Sequence, residues 1–370
     1  MRNPVVRRPR TFIIAEAGVN HNGSLKRALA MIRVAAKAGA DAVKFQSFIT
    51  EHEVTRAAPK AAYQKRNTGT GGSQFAMLKA LEMSRPDQRK LMAACRAAGI
   101  EFMSTPFDPI SAAFLAKAAA VKRLKVASGE ITNGPLLLAL ARSGKPIVLS
   151  TGMSTMAEIK AALAIIAFGY TSSATARPSR PAFAAAFRSQ PGQAALRRNV
   201  VILQCTSEYP AAFETINLKA MDRLAAVFGL RVGLSDHSPG ITASVAAVAR
   251  GAAVIEKHFT LDRRLPGPDH KASLTPDELS ALVTSVRAVE AVLGGGGKSP
   301  TAGEVGVRKV ARKSLVALRP IKTGEAFTAA NLGAKRPGGG VSPLMYWDVL
   351  GRRATRAYRV DDLIAGRLSR

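Results

Sequence analysis

Eight short apolar runs, each closing on polar residues, recur along the 370-residue chain at 11–16, 42–46, 101–105, 122–128, 146–151, 200–206, 231–237 and 253–258. Alanine-rich amphipathic stretches separate most of them. The stretch SLKRALAMIRVAAKAG (24–39) opens on a serine suited to cap a helix and closes on glycine. Eight β-then-α units in a row predict an α/β fold of the TIM (β/α)8 barrel type, which takes ~250 residues and carries its chemistry at the carboxyl ends of its strands. Glu16, Lys44, Gln46, Ser104, Thr105, Lys125, Ser128, Glu130, Ser150, Thr151, Thr206, Ser235, His237 and His258 fall at or near those ends. Strands of a packed core hide apolar side chains, not this many charges, so the convergence predicts a site.

His237 closes the seventh run and His258 the eighth, with a helix-length crossover between them. Adjacent parallel strands lie ~4.8 Å apart, close enough for two imidazoles to share one metal ion. The balance of 54 Lys+Arg against 25 Asp+Glu gives a formal charge of +29. Nucleic-acid modules gather such charge into a stripe with stacking aromatics. Here the basic residues are spread along the chain and aromatics make up 5%. The charge therefore reads as surface character that also attracts small anions, with no specific nucleic-acid function expected. No apolar run approaches the ~20 residues of a membrane helix. The run after the basic start is broken by Glu16, so it reads as a first strand behind a short basic tail rather than a signal peptide. Cys95 and Cys205 have no partner at metal or redox spacing, which points to a cytoplasmic location.

Two segments depart from the repeat. Residues 50–84, including YQKRNTGTGGSQ, form a polar, glycine-containing excursion on the catalytic side, placed to act as a lid. Residues 170–199 hold five arginines, three prolines and no acidic residue. They are expected to be a mobile or disordered insertion on the opposite face, without a catalytic role. TPDELSALVTSVRAVEAVLG (275–294) reads as the last barrel helix with Thr275 as its N-cap. The barrel is thus expected over 1–293 and a linker over 294–306. A second domain at 307–370, made of short β-like pieces, carries 14 Lys+Arg against 4 Asp+Glu.

The ordered motifs IIAEAGVNHNGS, DAVKFQSF, FMSTPFD, KVASGEITN, KPIVLSTGM, LQCTSEYP, GLSDHSPG, EKHFTLDRRLPGPDH and KRPGGGVSP resemble the signatures of the sialic acid synthase family, over residues 11–360 with the arginine-rich insertion outside the match. The resemblance implies a barrel followed by a C-terminal SAF, or antifreeze-like, domain of β-clip type. It also implies a homodimer in which that domain reaches over the partner's barrel. The implied reaction joins phosphoenolpyruvate, water and an open-chain N-acetylated amino sugar into a nine-carbon 2-keto sugar acid and phosphate, with metal activation of the aldehyde and C–O cleavage. The acceptor class covers N-acetylmannosamine and 2,4-diacetamido-trideoxyhexoses. KVASGEI, with Gly129, looks more like the sialic and legionaminic groups than the pseudaminic one.

Residue by residue, the resemblance makes His237 and His258 the metal ligands; so sparse a set favours Mn²⁺ or Mg²⁺ over structural zinc. Glu16 and Glu130 match the catalytic carboxylates, with the one that activates water left open. Lys44, Thr105, Lys125, Ser128, Ser150, Ser207 and Ser235 match the phosphoenolpyruvate set, with Ser207 where some members have asparagine. Gln46, Tyr209 and Asp269 match acceptor-side positions, and Arg336 the arginine offered to the acylamino group by the other subunit. His21 is expected to orient the first βα turn; His52 and His270 have no assignment. Two other functions compete. One is a Schiff-base pyruvate aldolase using Lys44, Lys125 or Lys257. The other is a non-catalytic carbohydrate- or nucleic-acid-binding barrel.

Overall fold

The computed structural model describes residues 10–69 and 71–365. Most of the expected basic tail, Thr70 in the excursion and the last five residues of the second domain lie outside the described residues. The chain divides into two compact units between Gly295 and Gly296.

In the first unit the strands are β1 (Phe12–Gly18), β2 (Ala42–Ser47), β3 (Glu101–Pro106), β4 (Leu124–Val126), β5 (Ile147–Ser150), β6 (Val200–Cys205), β7 (Arg231–Asp236) and β8 (Val254–His258). They form one parallel sheet in the order β3-β2-β1-β8-β7-β6-β5-β4. Its two end strands, β3 and β4, come together, so the expected (β/α)8 barrel is the observed fold. Side chains alternate across each strand. Outward residues such as Ile13, Val43, Phe102, Leu149, Ile202 and Ile255 pack against the helices in the main core. Inward, Ile14, Ala42, Met103, Val148, Val201, Leu203 and Val254 plug the barrel floor. Two residues further along, the inward row becomes Glu16, Lys44, Thr105, Ser150, Cys205 and Glu256, all facing one cavity. Gly233 is required in this interior, since a Cβ there would lie 2.2 Å from the Val254 carbonyl oxygen.

The helix Leu25–Lys37 starts as expected, with Ser24 accepting from Arg27 N–H. The helix Pro276–Val292 starts on a capping box between Thr275 and Glu278. The excursion is not an open loop but three short helices, Thr50–Glu53, Ala62–Thr68 and Gln74–Leu81. Val19, Phe48, Leu78 and Leu81 cluster beneath it. Lys60 ties its glycine stretch down, donating to Thr68 Oγ1 at 3.1 Å and to the Gly71 carbonyl at 2.7 Å.

Residues 170–199 correct the expectation of disorder. They contain the helices Arg180–Arg188 and Gln190–Asn199, capped by Ser179 and Ser189. Phe183 meets Phe168 of the preceding barrel helix with ring centroids 5.2 Å apart, and Ala195 and Leu196 are buried. Lack of acidic residues raised the net charge without removing the apolar face, and the arginines remain exposed.

In the second unit the helix Ala302–Ala311 precedes β9 (Ser314–Ala317), which pairs antiparallel with β10 (Leu332–Lys335). The end of the expected linker is therefore helical, because Thr301 and Glu304 form a capping box. Leu315, Ile321, Phe327, Leu332, Tyr358 and Ile364 make the small core of this unit. Among the described residues, no helix is long and apolar enough to cross a membrane.

Candidate active site

The carboxyl ends of the barrel strands surround a cavity of about 410 Å³. Its floor is a buried ionic lattice assembled by register. Glu16 pairs with Lys44 across β1 and β2, and with His258 across β1 and β8. Ser235 pairs with Glu256 across β7 and β8. Lys44 Nζ lies 2.9 Å from Glu16 Oε2 and 3.6 Å from Glu256 Oε2, and donates to Thr105 Oγ1 at 3.0 Å. Lys125 Nζ lies 3.7 Å from Glu256 Oε1, which also accepts from Ser235 Oγ at 3.1 Å. Burial alone would raise the Glu256 carboxyl, but Lys125, Lys44 and His237 together hold it below the ordinary value. Glu16 is pushed up to about 7 by burial, which outweighs the opposing pull of Lys44, while Glu256 adds to the rise. Lys44 is raised by Glu16 and Glu256 against the effect of burial, whereas burial wins at Lys125 and lowers it.

Above this floor stand the two imidazoles, with ring centroids 5.4 Å apart. Metal–imidazole bonds of ~2.1 Å allow two rings sharing an ion to stand up to about 6.5 Å apart. Thr206 O lies 2.7 Å from His237 Nδ1, a contact that holds the proton on that nitrogen and leaves Nε2 free to ligate. His258 is driven well below its ordinary pKa by burial and by His237, Lys44, Lys257 and Lys125, and its Nδ1 is buried with no hydrogen-bond partner. At His237, burial alone would lower the pKa, but Cys205, the Thr206 carbonyl and Glu256 raise it. Among the described residues no three His, Cys, Asp or Glu side chains form a ready metal cage. Two neutral imidazoles with open positions fit a metal that takes its remaining ligands from substrate or water.

Tyr209 stacks beside this pair, 4.1 Å from the His237 centroid and 4.9 Å from that of Tyr63, which the excursion brings down. The helix Ala62–Thr68 is fixed there because Asn67 Nδ2 donates to the Pro268 carbonyl at 2.6 Å. Gln46, Ser128, Ser150, Ser207 and Asp269 complete the wall. Ser150 Oγ is buried without a partner. Asp269 is raised to about 6 by burial. Gly152 N–H donates to Ser128 Oγ at 2.9 Å.

Of the residues matched to roles, the structure brings together all except two, and among the other strand-end polar residues Ser104, Thr151 and Thr206 lie outside this cavity. Glu130 follows the short β4 on a 3-10 turn and accepts from Asn133 Nδ2 at 2.8 Å instead of lining the cavity. Arg336 is exposed on the second unit. Lys257, one of the lysines considered for a Schiff base, points outward and pairs with Asp236 at 3.0 Å. His21 is buried as expected for a turn residue, its Nδ1 accepting from Gly23 N–H at 3.0 Å. Glu256 had no expected role, yet it holds both floor lysines; its place two residues before His258 on one strand was the available signal. Glu53 and Tyr63, on the excursion, also line the cavity, with no periodicity to mark them.

The model of the NeuB family matches residues 31–298, and that of the SAF domain matches residues 312–365. The N,N'-diacetyllegionaminic acid synthase of Campylobacter jejuni is 44% identical over 96% of this chain and 99% of its own. The human N-acetylneuraminate-9-phosphate synthase is 35% identical over 95% of this chain and 91% of its own. A crystal structure of an N-acetylneuraminic acid synthetase from Leptospira borgpetersenii superposes with a TM-score of 0.65 at 33% identity, covering 81% of this chain and 90% of that one.

Proposed function

The chain belongs to the NeuB family, and from that premise we propose that it condenses phosphoenolpyruvate with an open-chain N-acetylated amino sugar and water, giving a nine-carbon 2-keto sugar acid and phosphate. The observation that carries this reading is the placing of His237 and His258 directly over the Lys44, Lys125, Glu16 and Glu256 floor in one cavity.

Lys44 and Lys125, with Thr105, Ser128, Ser150, Ser207 and Ser235, supply the cations and hydroxyls that a compact trianion needs. His237 and His258 would hold a divalent ion, Mn²⁺ or Mg²⁺, whose part is to polarise the sugar aldehyde. The enol carbon of phosphoenolpyruvate then forms the new C–C bond to the aldehyde carbon, and the aldehyde oxygen takes up a proton. Positive charge develops at the former enol C2, where the Glu16 and Glu256 carboxyls can stabilise it. Water adds at C2 and gives up its proton. Glu16, with a pKa near neutrality, is suited to accept it. Phosphate leaves by cleavage of the C2–O bond, and the 2-keto acid results. Gln46, Tyr209 and Asp269 face the acceptor.

A homodimer is part of the proposal. Leu344, Met345 and Trp347 are exposed at 85%, 46% and 77% on the second unit, an apolar surface that a second copy would cover, and Arg336 would serve the acceptor site of that copy. A cytoplasmic location accords with two buried cysteines that remain unpaired.

The test is phosphate release from purified protein. It should require both substrates and a divalent ion, stop with EDTA and survive borohydride, and oxygen-18 in the bridging position of phosphoenolpyruvate should appear in phosphate. Trapping by borohydride with pyruvate, together with indifference to EDTA, would replace this reading by the Schiff-base one.

A further inference from the structure

Four helices of the first unit, Gly134–Arg142, Met156–Thr171, Arg180–Arg188 and Gln190–Asn199, pack into one layer outside the strands. Residues 134–199 hold eight Lys+Arg against one carboxylate, that of Glu158. This carboxylate serves its own helix, accepting from Thr155 N–H at 2.7 Å. Lys145 is half-buried and donates to the Ala118 carbonyl at 3.0 Å. The other seven cations are exposed.

Elsewhere, surface cations such as Lys79, Lys90, Arg250, Arg264 and Arg319 have carboxylate partners. Among the described residues, no ion pair reaches any cation of 134–199. The fold also gathers them from separate parts of the chain. Arg142 Nη2 donates to the Ala176 carbonyl at 3.0 Å, beside Arg177. Lys160 Nζ stands 5.9 Å from the centre of the Phe187 ring, next in sequence to Arg188. Arg197 and Arg198 lie together in the last turn of Gln190–Asn199. Like charges so placed build a positive potential that an extended anionic partner relieves.

We infer that this four-helix layer docks the protein on an anionic lipid bilayer, through headgroup contacts alone. The inference does not depend on the synthase reading.

The side chains that are missing from the layer favour lipid over other polyanions. Among the described residues, its helices expose no large apolar side chain, so it has nothing to insert below the headgroups and no anchor for the centre of a protein interface. Its aromatic rings are occupied as well. Phe168 and Phe183 meet with centroids 5.2 Å apart, and Tyr170 donates to the Lys145 carbonyl at 2.7 Å. That leaves no stacking platform for single-stranded nucleic acid. A planar anionic surface needs neither anchor nor platform. It attracts basic side chains in any arrangement, roughly fivefold in affinity for each, within a Debye length of ~10 Å at 0.1 M salt. None of residues 170–199 lines the catalytic cavity, so charge changes there leave its chemistry in place.

The experiment is co-sedimentation of the full chain with phosphatidylcholine vesicles and with vesicles of phosphatidylcholine and phosphatidylglycerol at about 3:1, in ~50 mM and ~300 mM salt. Binding is expected only to the anionic vesicles and only at the lower salt. Changing Arg177, Arg180, Arg188 and Arg197 together to Glu should weaken it at least ~100-fold. A control with the same charge change elsewhere, Lys26, Arg33, Lys37 and Arg96 to Glu, should keep most of it. Circular dichroism should match the parent in both; if the first variant fails to fold, the same four arginines changed to Gln replace it. Equal binding to both vesicle types, binding to neither, or equal loss in the two variants overturns the inference. An RNA duplex of about 20 base pairs that binds the layer and is not displaced by the anionic vesicles overturns it in favour of nucleic acid.

Discussion

Glu256 and His258 leave the same strand two residues apart and enter the same cavity, the first gripped by Lys44 and Lys125 and the second with a buried Nδ1 that no protein group satisfies. One strand thus supplies both the counter-charge of the phosphoenolpyruvate floor and half of the proposed metal site. Lys257 between them faces the other way and is spent on Asp236.

Glu256 is therefore structural as well as electrostatic. Glu256→Gln leaves Lys125 buried without its carboxylate, and losing one member of a buried ion pair costs ~3–5 kcal/mol. Urea unfolding should show that loss. The double change Lys125→Met with Glu256→Gln should cost less than the sum of the two single changes. Strict additivity would mean that the pair is not coupled.

Gly152 sits where no side chain fits. A Cβ there would lie 2.3 Å from Ser207 Oγ and 2.9 Å from Ser128 Oγ, two hydroxyls of the proposed anion cradle. Gly152→Ala should raise the KM for phosphoenolpyruvate by about 10-fold or more, the equivalent of one displaced hydrogen bond, with circular dichroism unchanged. An unaltered KM would remove these hydroxyls from the cradle.

Acid sensitivity should have a contribution from His21. Burial, and secondarily Arg27, lower its pKa from 6.5 to about 4. Below 6.5 the unfolded chain takes up a proton that the folded one refuses, so stability is fully present above pH 6.5 and falls as the pH drops through 4. The span is worth about 3 kcal/mol. His21→Asn, which keeps an acceptor for Gly23 N–H, should show a shallower loss of stability between pH 7 and 4. An identical slope would assign the acid sensitivity elsewhere.

Much of this architecture is legible before any coordinates. Recurring apolar runs with polar strand ends carry the barrel, and they put Lys44, Thr105, Lys125, Ser150, Ser235, His237 and His258 near the cavity wall, where they are found. Glu256 lies two residues before His258 on the same run, but without the register between β7 and β8 its partners Ser235 and Lys125 are not visible in the sequence. The helices of residues 170–199 were masked by arginine and proline content, although Ser179 and Ser189 were N-caps in plain view. Glu53 and Tyr63 reach the cavity through a glycine-bearing excursion whose path depends on tertiary contacts, such as those of Lys60 with Thr68 and Gly71. Short polar segments of that kind carry no period to read.

The proposed condensation requires one ion shared between two imidazoles. Titration of the metal-free protein with Mn²⁺, followed by electron paramagnetic resonance, should find one tight site per chain, weakened about 100-fold or more in both His237→Ala and His258→Ala, with phosphate release lost in parallel. Undiminished Mn²⁺ binding in either variant, or full phosphate release from protein held in EDTA, would contradict it.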